Sequence, residues 1–152
     1  LEDFVETTIT IQEREKLDLI IASEANALDI NTRLEAVKPA AGVTTAKVRA
    51  RALNGLDGKA PTVPITMECA VFDDADGAVL SATSTLATAS RGTILAGEGT
   101  AAMKVKTDAQ GVFECTLSLV ALAPASRYFS AFATPTGPYI DAVGSVAVDF
   151  TV

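Results

Sequence analysis

The sequence predicts a mainly β protein: an N-terminal arm and α-helix, followed by an antiparallel β-sandwich of about seven strands. Three observations point there. From Thr45 onward apolar residues recur at every second position in short runs, as in a strand with one face on a core and the other in water. Clusters of Gly, Asp, Asn and Pro bracket those runs. Residues 13–38 break the pattern and repeat their apolar positions at spacings of three and four, which is helical.

Residues 1–12 alternate at Val5, Thr7, Ile9 and Ile11, which reads as an extended arm that must pair with something. Thr10 and Glu13 have the spacing of a capping box, so a helix is expected to start there. Over Glu13 to Lys38, Leu17, Ile21 and Leu28 share one stripe, and Ile20, Ala27, Ile30, Leu34 and Val37 share another. The apolar direction swings between the halves by far more than the drift of about 20° per heptad in an ideal helix. Either the helix changes partner midway or it breaks near residues 29–32, where Thr32 and Glu35 repeat the capping-box spacing and Pro39 ends the second piece.

The expected organisation is an anchoring or oligomerisation segment over 1–38, a linker over 39–44 and a sandwich over 45–152. Thr45 to Leu53 turns Ala46, Val48, Ala50 and Ala52 one way and Lys47, Arg49 and Arg51 the other. Ile65, Met67, Cys69 and Val71 form the next inward set, and Val79 to Leu86 is a weaker strand. Residues 87–100, rich in Ser, Thr, Ala and Gly, read mostly as loop. Met103 to Thr107 and Val112 to Val120 flank the turn Thr107-Asp108-Ala109-Gln110-Gly111 and read as a hairpin, with Phe113, Cys115, Leu117 and Leu119 inward. Tyr128 to Thr134 follows, and Ser145 to Val152 closes with Val146, Val148, Phe150 and Val152 in phase.

Composition narrows the chemistry. At 152 residues the chain is one domain, or one domain with a short appendage. Histidine is absent, which removes Ser-His-Asp and Cys-His nucleophiles and His-based zinc sites. A formal charge of −7 without a basic run argues against nucleic acid as a partner. No apolar run approaches the ~20 residues of a membrane span. The chain opens at Leu1, without a start Met, which leaves a missing start or an upstream signal open. Cys69 and Cys115 fall at apolar-face positions and read as buried thiols, with a disulfide between them as the alternative.

No catalytic or metal-ligating set emerges, and no cofactor is expected. Asp73, Asp74, Asp76 and Gly77 could offer oxygens to a hard cation, but the further ligands of a calcium loop are missing, so an acidic turn is the reading. Gly97-Glu98-Gly99 lacks the strand-to-helix context of a phosphate loop. Glu68 and Glu114 point outward, where a carboxylate is ordinarily solvated. Lys47, Arg49 and Arg51 form either a basic docking stripe or an ordinary wet face.

The stretches VRARALNGLDGKAP, MECAVFDDADG and VKTDAQGVFECTLS, then a Tyr-containing strand before Pro-Thr-Gly and a valine-rich strand ending at Phe150, resemble the immunoglobulin-like modules of tailed-bacteriophage structural proteins and some bacterial surface proteins. The layout of the acidic leading part is similar to attachment or trimerisation segments of head fibres, decoration proteins and tail fibres. Residues 1–38 hold nine acids and four bases, a net of −5.

The resemblance implies a non-enzymatic virion component, most simply a capsid decoration or short head fibre, with a tail fibre or tail-tip component as the alternative. Its partners would be copies of itself, a trimer being favoured, and other virion proteins such as the major capsid protein. Neither nucleic acid nor membrane is among them. The candidate interface comprises Ile9, Ile11, Leu17, Ile20, Ile21, Leu28, Ile30, Leu34 and Val37. On this reading, Ile30→Glu with Leu34→Glu abolishes assembly and leaves the sandwich folded. A monomeric cell-surface or secreted carbohydrate-binding module is the competing expectation, and an enzyme comes third.

Overall fold

Alternation decides which side of each strand is dry, and two such sheets facing one another bury nearly every inward residue named above. The structure, a computed structural model, describes residues 30–55, 57–133 and 144–152. Nine strands lie among them: β1 (Ile30–Ala36), β2 (Thr45–Asn54), β3 (Thr66–Phe72), β4 (Ser84–Arg91), β5 (Thr93–Ala96), β6 (Ala102–Lys106), β7 (Val112–Leu119), β8 (Ala125–Ala133) and β9 (Val146–Phe150).

They form two antiparallel sheets in the orders β1-β2-β7-β4 and β5-β6-β3-β8-β9. The layout is that of a nine-stranded immunoglobulin-like sandwich, except that β4 lies beside β7 and β6 beside β3, the exchange of their places in a variable-type domain. The core between the sheets sets Ala46, Val48, Ala50 and Ala52 of β2 and Phe113, Cys115 and Leu117 of β7 against Met67, Cys69 and Val71 of β3 and Phe129 of β8. Small alanines on one strand leave room for bulky neighbours, and no Trp is needed to fill the space.

Four expectations change. The helix expected over residues 13–38 fails over its last third: residues 30–36 are a strand, paired with β2 from Ile30↔Asn54 to Ala36↔Val48. Ile30 and Leu34 are four apart, a spacing that satisfies a period of two as well as 3.6, and β2 supplies the open edge that settles the choice. The second capping box is therefore absent, and Glu35 instead faces Arg49 and Arg51. The arm and the first two thirds of the expected helix lie outside the described residues.

Second, the stretch around residues 104–120 is not a hairpin. β6 pairs with β3 and β5, whereas β7 pairs with β2 and β4, so the turn at 107–111 arches from one sheet to the other. Both strands still point their apolar sets at one core, which is why alternation alone could not separate an arch from a hairpin. Asp108 shapes the arch by accepting the amides of Gln110 at 2.9 Å and Val112 at 3.0 Å.

Third, the weak strand expected at 79–86 runs over Ser84–Arg91. Fourth, the expected loop contains a short edge strand, β5. Between β4 and β5 the chain changes sheet at Gly92, where φ is +79° and an added Cβ would lie 2.5 Å from the Lys106 carbonyl oxygen. Only glycine fits that crossing. These additions raise the strand count from the expected seven to nine.

Candidate functional site

Side chains that alternate outward on β2 and β7 meet on the wet face of the first sheet. The register places Glu35 opposite Arg49 and Arg49 opposite Glu114, so one row crosses β1, β2 and β7 and is continued on β4 by Ser90. Glu114 is its centre and only 6% exposed. Its Oε2 accepts Arg49 Nε at 2.8 Å and Nη2 at 2.6 Å, and its Oε1 accepts Ser90 Oγ at 2.7 Å, with Lys47 Nζ at 3.4 Å. Glu35 receives Arg51 Nε at 3.3 Å and lies 3.7 Å from Arg49 Nη1.

The Ser90 hydroxyl, Arg49 and Lys47 outweigh the effect of burial and hold the Glu114 carboxyl at a pKa of about 2. A carboxylate held that low is too weak a base to activate Ser90 near neutral pH. The row is an ion-pair lattice that braces four strands. An open groove of about 350 Å³ lies over it, lined by Glu35, Ala36, Val37, Lys47, Arg49 and Glu114.

The supposed basic stripe is therefore largely neutralised from within the sheet, by Glu114 and Glu35. The expectation of a merely solvated Glu114 is also corrected. Its signal in the sequence was slight: an outward Glu and an outward Arg at the middles of two strands whose adjacency no local pattern reveals.

Elsewhere, polar groups serve turns. Asp74 accepts the amides of Ala78 at 3.0 Å and Val79 at 2.8 Å, and these bonds lower its pKa. Asp73 lies 3.3 Å from Arg127 Nε. The acidic cluster is thus a structured turn in which the Asp73 and Asp74 carboxylates have protein partners. Arg91 Nε donates to Asp108 at 2.8 Å. Cys69 and Cys115 are free and buried on opposite sheets. Burial raises both thiols, Cys115 to about 12, so neither is a thiolate nucleophile.

Of the nine candidate interface residues, Ile9, Ile11, Leu17, Ile20, Ile21 and Leu28 lie outside the described residues. Ile30 and Leu34 are partly buried against the core of their own sandwich, and only Val37, 63% exposed at the rim of the groove, is presented outward. The expectation that glutamates at 30 and 34 would leave the sandwich folded is therefore withdrawn.

No protein-family model matches the chain, and no curated protein sequence does. Among solved structures, the Yersinia pseudotuberculosis adhesin InvE superposes with a TM-score of 0.49 at 13% identity, over 81% of this chain and 32% of that one. The reeler domain of human F-spondin gives 0.47 at 9% identity, over 81% and 89%. A cohesin module from a Clostridium perfringens family 33 glycoside hydrolase gives 0.44 at 8%, over 82% and 98%. This chain spans about a third of the adhesin's length. These are distant likenesses of outline, and no ligand, partner or activity is carried over from them.

Proposed function

We propose that the chain is a non-enzymatic structural module that acts by association, with residues 1–29 as its attachment segment and the sandwich as the projecting body. The observation that supports this is the self-satisfied face of the first sheet: Glu114, the most buried charged group described, is spent on Arg49, Ser90 and Lys47. The leading segment, in contrast, offers Ile9, Ile11, Leu17, Ile20, Ile21 and Leu28 to a partner. By the resemblance of its turn and core motifs, the setting is a tailed-phage virion, as a capsid decoration or short head fibre, or in the tail. The partners are sister subunits, a trimer being favoured, and the major capsid protein.

The test is light scattering on the full chain and on Ile20→Glu/Ile21→Glu. A wild-type oligomer and a monomeric variant with an unchanged unfolding midpoint support the reading. Equal masses contradict it.

A further inference from the structure

Each sheet ends in two strands with one side unpaired: β1 and β4 in the first, β5 and β9 in the second. Such edges invite pairing with another chain unless they are short, bulged or otherwise blunted. β4 shifts register between Ala87 and Arg91, with Thr88 at φ +59°; β5 has four residues and a shift of its own, and β9 has five residues. β1 has seven, all in unbroken register with β2. It is the longest regular edge among the described residues.

Parity decides which of its backbone groups face outward. Val37 N donates to Lys47 O at 2.9 Å, in step with the pairs Glu35↔Arg49 and Arg33↔Arg51, so the odd-numbered residues bond to β2. The amides and carbonyls of Ile30, Thr32, Leu34 and Ala36 therefore point to the free side, where the described residues place no strand.

The side chains select the occupant. An antiparallel copy of β1 with Leu34 opposite Leu34 sets outward backbone groups against outward backbone groups, Thr32 against Ala36 on either side of the centre. It also sets Arg33 of each copy opposite Glu35 of the other, at positions where facing side chains lie closest. Arg33 is exposed and has no ion pair among the described residues, and Glu35, 42% exposed beside Arg49 and Arg51, keeps lone pairs to offer. Centring the pair on Arg33 would instead put that cation against itself.

We infer that the free edge of β1 pairs antiparallel with β1 of a second copy across a two-fold axis, with Arg33 of each copy against Glu35 of the other. Seven residues a side are few beside the roughly 20–30 of a stable interface, so one such contact is weak alone. It acts between copies also gathered by residues 1–29, and to that extent the inference rests on their proposed attachment role. Where those segments gather copies in threes, three edges act together and join two trimers.

Sedimentation velocity on full-length variants tests it. Arg33→Glu opposes two carboxylates across the edge but faces Arg51 within its own sheet, so it should halve the mass of the wild-type assembly without lowering the melting temperature. Ala36→Pro removes an outward amide and should also halve the mass. Arg33→Glu/Glu35→Arg restores opposite charges across the two-fold and should regain the wild-type mass.

If either single variant, folded, keeps the wild-type mass, or the wild type holds an odd number of copies, the inference is overturned, and the attachment role stands if Ile20→Glu/Ile21→Glu is monomeric. A folded charge swap that stays at half mass overturns the inference as well. If Ile20→Glu/Ile21→Glu remains a dimer that Arg33→Glu splits, the edge contact stands and the attachment role fails. If the wild type is a monomer at every concentration, with the Thr32, Leu34 and Ala36 amides protected from exchange, its own chain covers the edge and both fail; unprotected amides in such a monomer overturn both too.

Discussion

Arg49 and Glu114 stand directly opposite on β2 and β7, and the guanidinium grips the carboxylate through Nε at 2.8 Å and Nη2 at 2.6 Å. With Glu35 on one side and Ser90 on the other, this pair joins all four strands of the first sheet by side chains as well as by backbone. Glu114→Gln keeps the shape and removes the charge. It should cost about 1.5–3 kcal/mol in urea unfolding, the range for a hydrogen bond to a charged group. Ser90→Ala should cost less, about 1 kcal/mol.

The same pair sets an acid limit. The Glu114 pKa falls from 4.5 to about 2 on folding, so its stabilisation is complete above the unfolded value and is lost as pH drops from about 4.5 towards 2. Asp108 acts in the same direction: burial pushes its carboxyl up, but the Val112 and Gln110 amides and Arg91 outweigh that and leave it lowered. Unfolding midpoints measured across that pH range should fall for the wild type and fall less steeply for Glu114→Gln.

The sheet-switching segment makes a prediction of its own. Thr88, with φ +59°, is a β-branched residue held in left-handed backbone where the β4 register shifts. Thr88→Gly should relieve roughly 1–3 kcal/mol of strain, offset by about 0.5–1 kcal/mol of chain entropy, for a small net rise in melting temperature. Gly92→Ala should do the reverse, with a loss of about 2 kcal/mol or more, since both φ and the Lys106 carbonyl oppose a side chain.

β1 can be tested as part of the sandwich. Leu34→Ala should destabilise by about 1–3 kcal/mol, less than a fully buried leucine because Leu34 is only partly enclosed. The buried Thr32 hydroxyl oxygen has no partner, so Thr32→Val should stabilise by about 1 kcal/mol. Were β1 a loosely attached appendage, neither change would move the unfolding midpoint.

The sequence showed the inward sets of β2, β3, β7 and β9 because period-two alternation is local, and it showed the turn at residues 107–111 because Asp108 and Gly111 have distinct backbone roles. It did not show which strands pair. That hid both the arch from β6 to β7 and the meeting of Arg49 with Glu114, residues 65 positions apart. β1 was misread because Ile30 and Leu34 fit two periods at once. β5 was missed because Thr93 to Ala96 is short, with little inward pattern.

The role in association is tested most directly by sedimentation velocity of the full wild-type chain over a wide concentration range at neutral pH. The account predicts assemblies of two or more copies of the 15.7 kDa chain, growing with concentration and dispersed by Ile20→Glu/Ile21→Glu. A single 15.7 kDa species at every concentration would contradict it.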